Sequence, residues 1–271
     1  MPEVTDHNNS PTAWRQAGAG SVALFLHGLG GSRTSWRPQF ESLATTRRLV
    51  AWDAPGYGRS SPISQPSFEE FAARAVALID LISVEAPVDL VGMSFGGMIA
   101  QYVAALHPRR VRTLTLLSTS PKFGLDGTDP IDWQNARLNG LRESGSPAAA
   151  APSILAHLTG PTGAHVVPEA VAAMARIPMA GLITAIETII THDTRDLLPT
   201  ILAPTLVLVG EQDTETPSAY GQAIVDLMTG YDPYHQPRRA ELRIIDGAGH
   251  LLNLEAPEHV NAAINEHWRS P

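Results

Sequence analysis

The feature that most constrains this chain lies in residues 88–106. An apolar run, Val88 to Val91, leads into Gly92-Met93-Ser94-Phe95-Gly96, and a helix-like run from Gly97 to Leu106 follows. A strand that ends in a Gly-x-Ser-x-Gly turn and passes at once into a helix leaves the serine hydroxyl at the apex of the turn. The small residues have a steric reason. The serine backbone is strained, and a side chain at either flanking glycine would crowd the turn. The helix start behind it aims free N–H groups at any anion that forms nearby. Such a pattern arises by chance in about one chain in ten of this composition, so its weight comes from its context.

That context is a series of apolar runs, each ending in a loop with one polar candidate. His27-Gly28-Leu29-Gly30-Gly31 follows Val22 to Leu26. Gly210-Glu211-Gln212-Asp213 follows Thr205 to Val209, and Gly247-Ala248-Gly249-His250 follows Leu242 to Ile245. Leu49 to Trp52 reads as a buried strand, and Val111 to Leu117 is a largely apolar run, as expected of parallel strands covered on both faces. Ser67 and Glu70 have the offsets of a capping box and open an amphipathic helix through Phe71, Val76, Ile79 and Ile82. The alternation implies right-handed βαβ units, hence an α/β fold with a doubly wound, mostly parallel sheet.

The rhythm stops after Ser118 and resumes at Ile201. Between them lie short helical patterns and stretches rich in Gly, Pro and Ala, with no convincing strand. Ile154, Leu155, Met174, Ile177, Leu182, Ile186 and Ile189 are too apolar for a linker. The expected division is a core of residues 1-120 and 196-271, with residues 121-195 inserted as a helical cap over the sheet's C-terminal edge. The glycine-punctuated stretch Asp53 to Ser60 is expected to shape a turn beside the serine.

Composition narrows the function classes. A length of 271 residues fits one large α/β domain or two small ones. A net charge of −8, with Lys122 the only lysine and no dense Lys/Arg run, argues against a nucleic-acid partner. The absence of cysteine excludes a disulfide framework, a thiol nucleophile and a cysteine zinc site. No His-Glu-x-x-His pattern supports metal catalysis. Met1 to Gly20 is polar, without an apolar signal region, and no stretch approaches a membrane span. The expectation is a cytoplasmic protein with no membrane partner.

A serine hydroxyl is a weak nucleophile near neutral pH and needs a base, which in turn needs an orienting acid. His250, in a glycine-flanked loop, is the candidate base. Asp213 is the candidate acid, with Glu211, Glu215 and Asp193 as rivals; Glu211 and Glu215 are expected to face solvent. The backbone N–H groups of Leu29 and Phe95 are the candidate oxyanion hole. His27, in the same loop as Leu29, is expected to shape structure. Trp133 and Arg137 lie four apart and share a helix face. An aromatic ring with a guanidinium over the serine would suit a flat ring bearing a carboxylate. A Trp that anchors the cap beside a solvated Arg is the alternative. Phe123, with Met93 and Met98, is expected in the core or pocket wall.

Over nearly its full length the chain resembles the α/β-hydrolase superfamily, and within it the 3-oxoadipate enol-lactonases and their relatives. Four stretches carry the likeness: His27–Gly31, Gly92–Gly97 with Met98-Ile99, Leu117-Ser118-Thr119-Ser120-Pro121, and Gly247-Ala248-Gly249-His250-Leu251-Leu252-Asn253-Leu254-Glu255-Ala256-Pro257. The order oxyanion loop, Ser, Asp, His is that of the superfamily. The resemblance implies an acyl-serine intermediate, no cofactor, and a small carboxylated enol-lactone as substrate. General carboxylesterases and other lactonases share the pattern, so a small-molecule ester or another lactone stays open. A receptor-like ligand-binding protein with slow turnover stays open as well. Ser94 separates the chain from relatives with Asp at that position, the dehalogenases and epoxide hydrolases. One departure is the long segment Thr229 to Arg239, with Tyr231, Pro233, Tyr234 and Pro237. It reads as a surface loop or as a contact in a homo-oligomer.

Overall fold

The structure, a computed structural model, describes residues 2–8, 11–161, 163–230 and 239–269. The chain begins β1 (Thr5–His7), β2 (Trp14–Ala17), β3 (Val22–Leu26), α1 (Arg37–Leu43), β4 (Arg48–Trp52) and α2 (Phe68–Ile82). It continues β5 (Val88–Met93), α3 (Phe95–Leu106) and β6 (Val111–Leu117). Four helices follow without a strand: α4 (Pro130–Ser144), α5 (Pro147–Leu155), α6 (Val167–Met174) and α7 (Met179–Ile189). It closes with β7 (Thr205–Gly210), α8 (Ser218–Leu227), β8 (Ala240–Ile245), α9 (Leu252–Glu255) and α10 (Pro257–His267).

One eight-stranded sheet runs β1-β2-β4-β3-β5-β6-β7-β8. From β4 to β8 all neighbours are parallel. The central strands β3, β5 and β7 are buried at every position, which is why they read as largely apolar runs; the charged exception, Asp89 in β5, pairs with Arg112 and Arg47. The sequence patterning did not reveal β1 and β2, which pair antiparallel at one edge. An edge strand needs no apolar run: β1 is largely exposed, and β2 has only half-buried positions before Ala17.

Helices cover both faces. On one, Phe71 of α2 meets Phe95 of α3 edge-on at 5.3 Å over the core built on β3, β5 and β6. On the other, Phe25 packs against Trp36, Phe40 and Trp268. Helix starts are set locally. The Ser67 hydroxyl accepts from Glu70 N–H (3.2 Å) before α2, the half of the capping box that forms. Asp129 accepts from Ile131 and Asp132 N–H, both at 2.9 Å, before α4.

The four helices after β6 face the carboxyl ends of the parallel strands. Leu141, Leu155, Met174 and Leu182 from them line one cavity with Ser94 and His250 of the core. The Glu255 carboxylate fastens this segment to the loop after β8. It accepts from Gly160 N–H (2.7 Å) and from Gly249 and Leu251 N–H (both 3.0 Å), while His250 N–H donates to the Leu158 carbonyl at 2.8 Å. Among the described residues no single helix is long and apolar enough to cross a membrane. The expectation for Tyr231, Pro233, Tyr234 and Pro237 falls outside the described residues.

Glu255→Ala leaves three half-buried N–H groups without their acceptor. The expected cost is about 2–3 kcal/mol, read as a lower urea midpoint with unchanged slope. A wild-type midpoint would mean that the carboxylate does not hold the two loops together.

Candidate active site

The site is built around the turn between β5 and α3. Ser94 has φ 51° and ψ −118°, and with Ser118 is one of two non-glycine residues at positive φ among the described residues. A position of this kind costs about 1–3 kcal/mol and persists only where the surroundings over-determine it. Close backbone approach does so here. A Cβ on Gly92 would lie 2.4 Å from the Gly96 carbonyl oxygen, and one on Gly96 would lie 2.1 Å from that of Leu26. Ser94 N–H is tied to the Leu117 carbonyl at 2.8 Å.

The structure brings Ser94, His250 and Asp213 together across three strand ends. His250 Nε2 lies 3.0 Å from Ser94 Oγ, and its Nδ1 lies 3.0 and 3.1 Å from the Asp213 carboxylate oxygens. An acceptor-only carboxylate at Nδ1 fixes the proton there and leaves the Nε2 lone pair for the serine hydroxyl. Asp213 is itself held by donors. Its Oδ1 accepts from Glu215 N–H (3.0 Å) and Thr216 N–H (2.9 Å), and its Oδ2 from the Thr216 hydroxyl (2.9 Å). The rivals do not reach His250: Glu211 accepts from Gly247 N–H at 3.0 Å, and Asp193 pairs with Arg195 at 2.6 Å.

The two titratable partners shift in opposite directions. Burial alone would raise the Asp213 carboxyl; the His250 charge, its hydrogen bond and Thr216 N–H outweigh this and hold it below the usual carboxylate range. Burial alone would lower the His250 imidazole; the Asp213 charge and hydrogen bond, with smaller help from Glu215 and Glu255, lift it above its ordinary value of 6.5.

Leu29 and Phe95 flank the serine, and neither N–H is engaged by another group among the described residues. The loop carrying Leu29 is tethered from beneath. Ala54 N–H donates to His27 Nε2 (3.0 Å), which leaves Nδ1–H to donate to the Gly28 carbonyl (2.8 Å). Burial lowers the His27 pKa, so the neutral form this pattern needs is the favoured one. The Tyr57 hydroxyl donates to the Leu29 carbonyl at 3.0 Å, and burial pushes its pKa up, so it keeps its proton. The stretch Asp53 to Ser60 thus braces the Leu29 peptide. Tyr57 and Thr216 escaped the sequence reading. Thr216 had one local signal, its place three residues after Asp213 in a turn where a hydroxyl can reach back.

Above Ser94 lies an inner chamber of about 120 Å³, walled by Met93, Leu155, Met174, Leu182, Ile186 and Ile189 among others. Trp133 and Arg137 both line it. Phe123 lies instead on a second, outer chamber of about 220 Å³, which Ser94, Trp133 and Arg137 also line. Phe123 meets Trp133 edge-on at 5.1 Å, and the Arg137 guanidinium stacks 5.1 Å from the Trp133 ring. Arg137 is partly exposed and pairs with Glu215 at 3.2 Å. Glu215 is exposed, as expected, and through this pair also borders both chambers; the one-dimensional spacing of 78 residues between the two hid the pairing.

A nucleophile in reach of a base, a base oriented by an acid, and free N–H groups beside them match the layout of one family. The chain belongs to the alpha/beta hydrolase fold family, whose model matches residues 23–159. Its relatives include esterases and enol-lactonases. It is 29% identical over 82% of its length to a pimeloyl-[acyl-carrier protein] methyl ester esterase of Chromobacterium violaceum, covering 87% of that protein. It is 26% identical over 89% of its length to 3-oxoadipate enol-lactonase 2 of Acinetobacter baylyi, covering 86% of it. It also matches polyketide synthase ThaQ of Burkholderia thailandensis at 27% identity, but spans only 12% of that protein. Among solved structures, a thermophilic esterase from Thermogutta terrifontis superposes with a TM-score of 0.82 at 26% identity, with 98% of each chain covered.

The pKa directions set an expected pH profile. Below its pKa His250 is protonated and cannot accept the serine proton, so the acid limb of kcat/KM should lie above 6.5. Asp213→Asn removes the charge that lifts the imidazole while burial remains, so the limb should move down as kcat falls by about 10⁴. An acid limb that stays in place in this variant would separate Asp213 from His250 in function.

Proposed function

We propose that the protein hydrolyses a small ester or lactone through an acyl-serine intermediate. The observation that carries this reading is the 3.0 Å contact of Ser94 Oγ with a His250 whose other nitrogen is held by Asp213. In the first step His250 Nε2 takes the Ser94 proton as Oγ bonds to the substrate carbonyl carbon. The resulting oxyanion is stabilised by Leu29 and Phe95 N–H, each such donor contributing about 3–4 kcal/mol in comparable sites. The tetrahedral intermediate collapses, the carbon–oxygen bond to the leaving alcohol breaks, and His250 returns the proton to that oxygen. In a lactone the alcohol stays attached to the acyl group. Water then repeats the sequence on the acyl-serine and frees the acid.

The shape of the inner chamber supports a small acyl group. At about 120 Å³ with mostly apolar walls, it is close to the cavity size that admits benzene. Arg137 is the one cation that lines it among the described residues, and Glu215 neutralises that charge. A neutral ester or lactone therefore ranks ahead of a carboxylated enol-lactone of the 3-oxoadipate type. The exposed pair itself contributes at most about 1 kcal/mol, so a strongly bound carboxylate could displace Glu215. Cytoplasmic location and a homo-oligomeric state remain expectations of the sequence.

The test is a panel of p-nitrophenyl butyrate, neutral lactones and 3-oxoadipate enol-lactone with wild type and Ser94→Ala. Wild type should turn over many times, and Ser94→Ala should lose at least about 10³-fold in kcat. Neutral substrates should show the higher kcat/KM. If the enol-lactone leads and Arg137→Ala raises its KM, the carboxylate reading takes precedence. If Ser94→Ala is as active as wild type, the acyl-serine mechanism is wrong.

A further inference from the structure

Two chambers open onto Ser94, and they differ in chemistry. The inner one is apolar. The outer one has Lys122, Asp126, Thr214 and Tyr220 in its walls. Between them stands a partition: Trp133, Arg137, Glu215 and Ile189 line both spaces, and Phe123 backs Trp133 on the outer side. A scissile carbonyl at Ser94 therefore sits at a junction, and the two limbs of an ester held there diverge into unlike surroundings.

The outer chamber presents a donor and an acceptor. Lys122 has no ion pair among the described residues; the nearby Asp193 carboxylate is taken up by Arg195 at 2.9 and 2.6 Å. Asp126 accepts from Thr128 N–H at 3.0 Å and is hydrogen-bonded with Tyr220, with further acceptor capacity left. Lys122, Arg137, Asp126 and Glu215 all line this space, two cations with two carboxylates, so their charges balance and an anionic limb gains little. Asp126 and Glu215 are exposed, and the largely polar lining offers an apolar limb little apolar surface to bury. A neutral limb carrying hydroxyl or amide groups satisfies both donor and acceptor.

We propose that the substrate is a two-part ester or lactone, with one apolar limb in the inner chamber and one neutral, hydrogen-bonding limb in the outer chamber against Lys122 and Asp126. This rests on the acyl-serine reading given above and adds the substrate class to it.

The experiment compares esters with one carbon skeleton. Propyl butyrate is the apolar reference. Glycerol monobutyrate carries two hydroxyls on the alcohol limb, and propyl dihydroxybutyrate carries two on the acid limb. All three are assayed with wild type, Lys122→Met and Asp126→Asn, with p-nitrophenyl butyrate as a separate report on the acyl-serine step. The expected result is that one dihydroxy ester exceeds propyl butyrate about tenfold in kcat/KM, chiefly through KM. Each variant should lower that preference at least about fivefold. The proposal is overturned if propyl butyrate equals or exceeds both dihydroxy esters, or if the preference is unchanged in both variants. Loss of p-nitrophenyl butyrate turnover in wild type would instead overturn the acyl-serine reading beneath it.

Discussion

The rest of the structure depends on how closely three backbones approach at the end of β5. Gly92 lies against Gly96, and Gly96 lies against the carbonyl of Leu26 at the end of β3. No other residue type fits those contacts, and they force the chain from strand to helix within one residue. The consequence is a Ser94 backbone at positive φ with its hydroxyl above the sheet. The helix that follows presents the Phe95 N–H beside it. The strain is local, and the buried parallel strands on either side absorb it.

Everything else at the site aims at that hydroxyl from a different strand end. The loop after β8 brings His250, and the turn after β7 brings Asp213 with donors that keep it ionised. The loop after β3 brings Leu29, held in place by Tyr57 and His27. Parallel strands put all four loops at one edge of the sheet, which is why a doubly wound fold binds ligands there. Glu255 joins the His250 loop to the helices above, so the base and the chamber wall share an anchor. A carboxylate that accepts three N–H bonds is a firmer tie than an exposed ion pair such as Arg137–Glu215.

The central sheet was legible in the sequence because burial on both faces demands continuous apolar runs. β3, β6 and the Ser67 start of α2 fall where the residues put them. Ser94, Asp213 and His250 were legible because each follows such a run in a small-residue loop. The edge strands β1 and β2 were not, since a half-exposed edge needs no apolar signature. Nor were the contacts that join distant parts of the chain. Tyr57 reaches Leu29 across 28 residues, Glu255 reaches Gly160 across 95, and Glu215 reaches Arg137 across 78. Periodicity reports which face a residue occupies, not which distant group it meets there. The outer chamber belongs to the same class, because its walls come from the loop after β6, α4 and the turn after β7, among others.

The central claim is that Ser94 is the one hydroxyl activated for covalent attack. The most direct measurement is labelling with a fluorophosphonate, followed by intact-mass analysis and peptide mapping at pH 8 and pH 5. The expected result is a single adduct on Ser94 at the higher pH, slowed sharply at the lower pH as His250 becomes protonated, and absent in Ser94→Ala. An adduct elsewhere, or equal labelling of Ser94→Ala, would contradict the account.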